Sequence, residues 1–202
     1  MAKIQWRGGA LLAPVPPAIV TCANGEERNL ITIAWTGIVN TIPPKTYISV
    51  RPSRHSYHII KESGVFAINL TTKDLVRAAD WCGVHTGKKV DKFERCHLAT
   101  EEASEIDCPI LSDSPLTLEC RVSQIIPLGS HDMFLADIVA VDVNEELIDR
   151  DGKLHLERAN LAAYAHGDYY ASGLDPFASV GPRRYRPRPQ APHLPSCDEQ
   201  EG

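Results

Sequence analysis

Two long runs, Leu116–Leu128 and Met133–Val143, read as β-strands, and only Gly129-Ser130-His131-Asp132 lies between them. A short glycine-containing connection between such runs is a hairpin, so these strands pair antiparallel. Upstream, Asn29–Trp35 alternates Leu30/Thr32/Ala34 with Ile31/Ile33/Trp35, which is strand periodicity. Ile19–Cys22, Thr46–Arg51 and Val65–Leu70 are shorter strand candidates, and Cys96–Thr100 is a further one. Asn24-Gly25 signals a turn, and Pro43-Pro44 breaks the chain. Helical spacing is confined to Ser53–Ser63, with Tyr57 and Ile60 facing inward and Gly64 as its cap, and to Thr72–Cys82, with Leu75, Val76 and Ala79 on one face and Gly83 at its end. Leu154–Ala165 fits either a strand or a helical turn. Strands thus outnumber helices and meet in hairpins. That predicts a mainly β fold, a closed or nearly closed antiparallel β-barrel with covering helices, and not a doubly wound parallel sheet.

The 202 residues suit one domain, expected over 1–175, followed by a tail over 176–202. That tail is rich in Pro and Arg (Gly181-Pro-Arg-Arg-Tyr-Arg-Pro-Arg-Pro-Gln190), has little to bury, and is expected to be disordered. The net charge of −5 argues against nucleic acid as a partner. An anionic ligand would therefore need local positive charge. No run approaches the roughly 20 apolar residues of a membrane span. Lys3 and Arg7 flank Trp6 without a following apolar run, so no secretory pattern is read and the expected location is cytoplasmic. Six cysteines are scattered without a Cys-x-x-Cys pair, which suits buried small hydrophobes in a reducing compartment. Cys82 falls on a helix face with no cysteine close to it in sequence. No metal is expected: His55 and His58 are spaced i, i+3, and the sequence shows no third ligand beside them.

Function is concentrated in Thr46-Tyr-Ile-Ser-Val-Arg-Pro-Ser-Arg-His-Ser56, a strand that stops at Pro52 and passes straight into a helix beginning near Ser53. Ser53, Arg54, His55 and Ser56 crowd the first helical turn. That turn carries unpaired N–H groups and the positive end of the helix dipole, so the cluster is a phosphate cradle. A cap needs one such residue, and here four gather. Charge-assisted hydrogen bonds contribute about 1.5–3 kcal/mol each, whereas micromolar binding requires about 8 kcal/mol. The rest of a phosphorylated ligand must therefore contribute by burial. No Gly-x-Gly-x-x-Gly or Walker loop is present, so the standard dinucleotide and triphosphate cradles are absent. Lys88, Lys89, Lys92 and Arg95 form a charged segment that reads either as solvated surface or as counter-charge for an anion. Gly37 fits a strand-end bend or a close backbone approach, and His131 a polar turn residue or a functional one.

In order, Pro14-Val-Pro16, Asn29-Leu-Ile-Thr-Ile-Ala-Trp35, Pro43-Pro44, Tyr47-Ile-Ser-Val50, Ser53-Arg-His-Ser56, Ser63-Gly-Val-Phe-Ala-Ile-Asn-Leu70, Gly87-Lys-Lys-Val-Asp-Lys-Phe93 and Gly129-Ser-His-Asp-Met-Phe134 resemble the flavin reductase-like family, in its flavoredoxin and ferric-reductase branch. The likeness covers roughly Leu11–Gly173. It implies a Greek-key, FMN-binding split barrel that is homodimeric and carries noncovalent FMN near the subunit interface. Such proteins take hydride from NADH or NADPH and pass electrons to free flavin, ferric complexes or another protein. By that similarity Ser53, Arg54, His55 and Ser56, with Val50 and Arg51 leading into them, would hold the FMN phosphate. Thr36, Gly37 and Ile38 would lie beside the isoalloxazine, and Ser49, Asn69 and Leu70 along the ribityl chain and ring edge. Lys88, Asp91, Lys92 and Phe93 match a loop near the cofactor, and His131 a histidine beside the nicotinamide. Two departures stand out: Ala136-Asp137-Ile138 replaces a common Gly-Glu-Val, and His85-Thr86-Gly87 stands where serine is common. The rival readings are a non-catalytic FMN carrier or sensor and a pyridoxamine-phosphate-oxidase-like enzyme.

Overall fold

The structure, a computed structural model, describes residues 1–171. The expected tail and the domain boundary before it lie outside the described residues. Strands β1 (Ala18–Asn24) and β2 (Glu27–Ile33) form the first hairpin, with Gly25 at φ +60° in its turn. β3 (Thr36–Thr41) and β4 (Pro44–Val50) form the second. Helix α1 (His55–Ser63), β5 (Val65–Leu70), α2 (Val76–Val84) and the short α3 (Lys92–Arg95) follow. β6 (Thr100–Glu102) pairs with β7 (Pro109–Leu111). The long β8 (Leu116–Pro127) and β9 (Asp132–Val143) pair as their short glycine-containing connection predicts, and β10 (Ala162–Ala165) and β11 (Asp168–Ala171) form a last hairpin.

Seven strands make one antiparallel sheet in the order β2-β1-β5-β8-β9-β4-β3. Its two outermost strands, β2 and β3, are joined by Ala34 and Trp35 alone. A flat sheet of seven strands spaced about 4.8 Å apart could not place its edges there. The sheet must curl until the edges meet, and the result is a barrel split between β2 and β3.

The interior is filled by Val20, Ile48, Phe66, Ile68 and Phe134 from the strands and by Ile59 and Ile60 from α1. On the opposite face of β1 and β2, Ile19 and Leu30 pack against Leu75, Ala79 and Cys82 of α2 and Phe93 of α3. β1 is therefore covered on both faces, which is why its sequence is continuously apolar rather than alternating. Asn69 is fully buried and clasps this region. Its amide nitrogen donates to Ile19 O (2.9 Å) and Thr21 Oγ1 (3.1 Å), and its oxygen accepts from Leu111 N (2.8 Å) and Thr117 Oγ1 (3.0 Å). Glu119, also fully buried, accepts from the backbone N–H groups of Ser104, Glu105 and Ile106 and from the Ser104 hydroxyl.

Several expectations are corrected. β3 occupies residues read as a strand end and a proline break, because the turn before Pro44, with its cis Ile42–Pro43 peptide, is the hairpin itself. Thr72 does not begin α2. Its carbonyl and hydroxyl both accept from Leu75 N in a separate turn, and the helix starts at Val76. Gly83 lies within α2, where a Cβ would meet the Thr32 side chain at 3.4 Å. The strand expected over Cys96–Thr100 begins instead at Thr100, since Cys96 caps α3. Leu154–Ala165 divides into a 3-10 turn (Leu156–Arg158) and β10. Among the described residues no helix is long and apolar enough to cross a membrane.

Candidate cofactor site

Where β4 ends, Arg54 N donates to Arg51 O (2.9 Å) and closes a tight turn through Pro52 and Ser53. α1 consequently starts at His55, two residues later than the sequence suggests. Arg54, not Ser53, is the cap residue, and it makes no side-chain cap hydrogen bond. The first-turn N–H groups are thus left without a capping side chain. Arg51, Ser53, Arg54, His55 and Ser56 all line one cavity of about 330 Å³. That volume is at the small end for ligand sites.

The opposite wall comes from elsewhere in the chain. Asn29 and Ile31 of β2, His85, Thr86 and Gly87 after α2, and Lys92 of α3 complete the lining. Asn29 Nδ2 donates to the buried Ser56 Oγ (2.9 Å), joining β2 to the start of α1. Gly87 packs directly on that amide, since a Cβ there would sit 2.2 Å from Asn29 Oδ1. Lys92 is only 3% exposed, and its ammonium donates to Leu30 O (2.9 Å) and Cys82 O (2.7 Å). It is no solvated surface charge.

The cavity is electropositive. Arg51, Arg54 and Lys92 line it, and their fields reach the histidines. Burial, Lys88 and Lys92 help hold His55 below its ordinary value, although Glu27 pulls the other way. Burial lowers Lys92 too. Among the described residues His55 Nδ1 is buried and has no hydrogen-bond partner. A cavity lined by three cations at an uncapped helix start matches a phosphate group, which offers several acceptor oxygens.

The remaining sequence-proposed residues divide into three groups. His131 does not line the cavity. It sits in the β8–β9 turn, where Asp132 pairs with Val50 and accepts from Tyr57 Oη (2.6 Å), so it neighbours the Arg51 turn. Burial and the nearby Arg51 and Arg54 lower its pKa. Thr36, Gly37 and Ile38 lie on the barrel's open edge: Thr36 Oγ1 donates to Tyr47 O (2.6 Å), a Gly37 Cβ would touch the Tyr47 ring at 3.4 Å, and Ile38 is exposed. Ser49, with its N–H bonded to Trp35 O, is on the same hairpin, while Val50 is buried in the core. The third group has structural roles away from the lining. Asn69 is the core clasp, and Leu70 O accepts from Ser114. Asp91 caps α3 by accepting from Phe93 N and Glu94 N, and Phe93 is core with the Arg28 guanidinium over its ring. Lys88 is exposed.

Asn29, Ile31, His85, Thr86 and Gly87 were not among the sequence-based candidates. A polar residue opening the Asn29–Trp35 alternation was the available signal for Asn29, and the departure from the family pattern at His85-Thr86-Gly87 was the signal for those three; none marked Ile31. Glu27 supplies the third group that the histidine pair lacked in sequence, with Oε1 3.5 Å from His55 Nε2 and 3.2 Å from His58 Nε2. These donor atoms lie within 4.8 Å of one another and could hold a metal ion, though the contacts already satisfy Glu27.

Residues 11–172 match the family model described as flavin reductase like domain. The chain belongs to the flavin reductase-like family. Its fold is similar to that of flavoredoxin of Desulfovibrio vulgaris (Miyazaki F), with TM-score 0.82 and 27% identity, covering 89% of this chain and 97% of that one. The FMN-binding protein from Thermus thermophilus with bound 1-cyclohex-2-enone shares the fold at TM-score 0.75 and 24% identity, over 89% of this chain and all of that one. Among curated relatives, the NADPH-flavin oxidoreductase of Streptomyces viridifaciens is 24% identical over 75% of this chain and 79% of its own. FMN reductase (NADH) RutF 2 of Rhizobium rhizogenes is 28% identical over 58% and 67%.

Proposed function

We propose that this flavin reductase-like protein is an FMN-dependent NAD(P)H oxidoreductase and that the α1 cavity receives the FMN phosphate. The observation that carries the reading is the cavity at the start of α1, which Arg51, Arg54, His55 and Lys92 line together. Relatives named as FMN and flavin reductases support it. Arg51 and Arg54 neutralise the phosphate, Ser53 and Ser56 offer hydroxyls, and His55 donates from Nδ1. Lys92 stays fixed by its two carbonyl bonds and contributes charge.

The cavity is polar and small, so the flavin ring lies outside it, along the β3–β4 hairpin. There Gly37 and Ser49 share a face with the Tyr47 ring, and Ile38 offers apolar contact. FMN, when bound, supplies the hydride chemistry. The chain's residues hold it, exclude water from one face and leave the other to the nicotinamide, which His131 orients. The acceptor is free flavin, a ferric complex or a partner protein.

The same hairpin supports a homodimer. Among the described residues β3 is an unpaired sheet edge, and Trp35, Ile38, Val39 and Ile42 are exposed on or beside it. An open apolar edge of this kind is normally covered, and a second copy would cover it while closing the ring site. The reading includes a cytoplasmic location.

The test is the visible spectrum of the protein after FMN loading, followed anaerobically on adding NADH or NADPH. Retained flavin that bleaches is expected. Absence of a flavin band after loading refutes the site, and retained flavin that never bleaches makes the protein a carrier.

A further inference from the structure

Cys82 and Cys96 are separated by 14 positions in sequence, yet their sulfurs are 3.7 Å apart. Cys82 is fully buried in α2, whereas Cys96, at the end of α3, is half-buried. A disulfide holds its sulfurs about 2.05 Å apart, so closing this pair brings them only about 1.7 Å nearer. The chain between them carries His85, Thr86, Gly87 and Lys92, which line the cavity. Lys92 joins both cysteines to that cavity: its ammonium donates to Cys82 O (2.7 Å), and Cys96 N donates to Lys92 O (3.1 Å).

We propose that Cys82 and Cys96 form a reversible disulfide that fastens the 82–96 segment against the cavity and tightens the hold on its ligand. The bond itself stands on the sulfur geometry, while its effect on FMN rests on the function proposed above. The oxidant is a hydroperoxide. The accessible Cys96 sulfur attacks the peroxide oxygen; an S–O bond forms, the O–O bond breaks, and the thiol proton leaves with the displaced oxygen as water or alcohol. Cys82 sulfur then attacks Cys96 sulfur; the S–S bond forms, the S–O bond breaks, and the Cys82 proton departs with that oxygen as water. The peroxide has gained the two electrons that the thiols lost, and a dithiol reductant reverses the change. Burial, then the neighbouring Cys96, push the Cys82 thiol up to about 12, so the more accessible Cys96 is the first to meet peroxide. With the segment fastened, less of it has to be ordered on binding, so affinity rises.

The full chain is treated with hydrogen peroxide, alkylated and peptide-mapped. A Cys82–Cys96 linked peptide, two hydrogens lighter than its reduced parts, is expected. Both thiols found alkylated would overturn the bond. Trypsin provides a readout independent of cofactor: cleavage after Lys88 and Lys89 should slow at least threefold in the oxidised protein and be insensitive to peroxide in Cys96→Ser. Equal rates would overturn the fastening. FMN titration should give a Kd at least threefold lower for the oxidised form, again with Cys96→Ser unresponsive. An unchanged or raised Kd beside a mapped disulfide overturns the tightening. Failure of both forms to bind FMN refutes the proposed function, and the mapping and trypsin results still decide the bond.

Discussion

Gly87→Ala isolates one contact on which the cavity depends. Gly87 has no left-handed φ, so the substitution acts through its new methyl group alone. That methyl would sit 2.2 Å from Asn29 Oδ1, 2.6 Å from Cγ and 2.8 Å from Nδ2. Either the Asn29 amide turns away or the 85–87 backbone retreats. Turning the amide breaks the buried bond to Ser56 Oγ, which contributes about 1 kcal/mol. Overpacking a fitted site adds roughly 1–3 kcal/mol. The total is about 2–4 kcal/mol, divided between stability and FMN affinity. Affinity is measured by quenching of FMN fluorescence and stability by thermal unfolding. The decisive measurement is a double-mutant cycle. In an Asn29→Ala background the three clashing atoms are gone, so Gly87→Ala should cost less than about 0.5 kcal/mol by both assays. An equal penalty in both backgrounds, or none in the wild-type background, refutes the packing argument.

Three further outcomes are expected. Arg54→Ala weakens FMN binding at least about tenfold, near 1.5 kcal/mol, with little change in melting temperature, because Arg54 is exposed beside the cavity; an unchanged titration removes Arg54 from the site. Lys92→Met leaves Leu30 O and Cys82 O without their donor and should lower stability by about 2–3 kcal/mol, seen as a lower urea midpoint; an unchanged midpoint would mean that the ammonium does not hold α3 to the barrel. Burial, then Glu119, raise Asp142 from 3.8 to about 6. Its folded-state pKa exceeds its unfolded one, so its favourable contribution is complete below about pH 3.8 and is lost as pH rises through 6. Asp142→Asn should therefore be more stable than wild type at pH 7.5, by on the order of 1–3 kcal/mol, with the gap closing toward pH 4. A gap that does not vary with pH contradicts this.

The sequence reveals what short-range periodicity controls. β2, β4, β5 and the β8–β9 hairpin stand out because one face of each is buried, or both. β3 did not, because an exposed edge strand has no buried face to impose contrast, and its hairpin turn looks like a proline break. One wall of the cavity was legible because strand end, turn and helix start are contiguous over Val50–Ser56. The other wall was not, since β2 and the 85–92 segment reach it only through the curl of the sheet. Lys92 was ambiguous for a related reason: nothing in a run of charges tells which member is drawn inward, and two backbone carbonyls decided it. Asn69, set along the cofactor by the family resemblance, is fully buried, and its hydrogen bonds tie β5 to β1, β7 and β8.

The cavity's two walls differ in how they are built. The Val50–Ser56 wall is continuous with barrel and core, so changes at its buried positions, Val50 and Ser56, disturb the whole molecule. The 85–92 wall is an excursion, anchored at its ends by α2 and α3. Sequence can drift at its exposed positions, His85, Thr86, Lys88 and Lys89, at small cost to folding, while Gly87 and Lys92 are held by packing and by hydrogen bonds. Ligand preference is therefore adjustable from one side while anion capture stays fixed on the other.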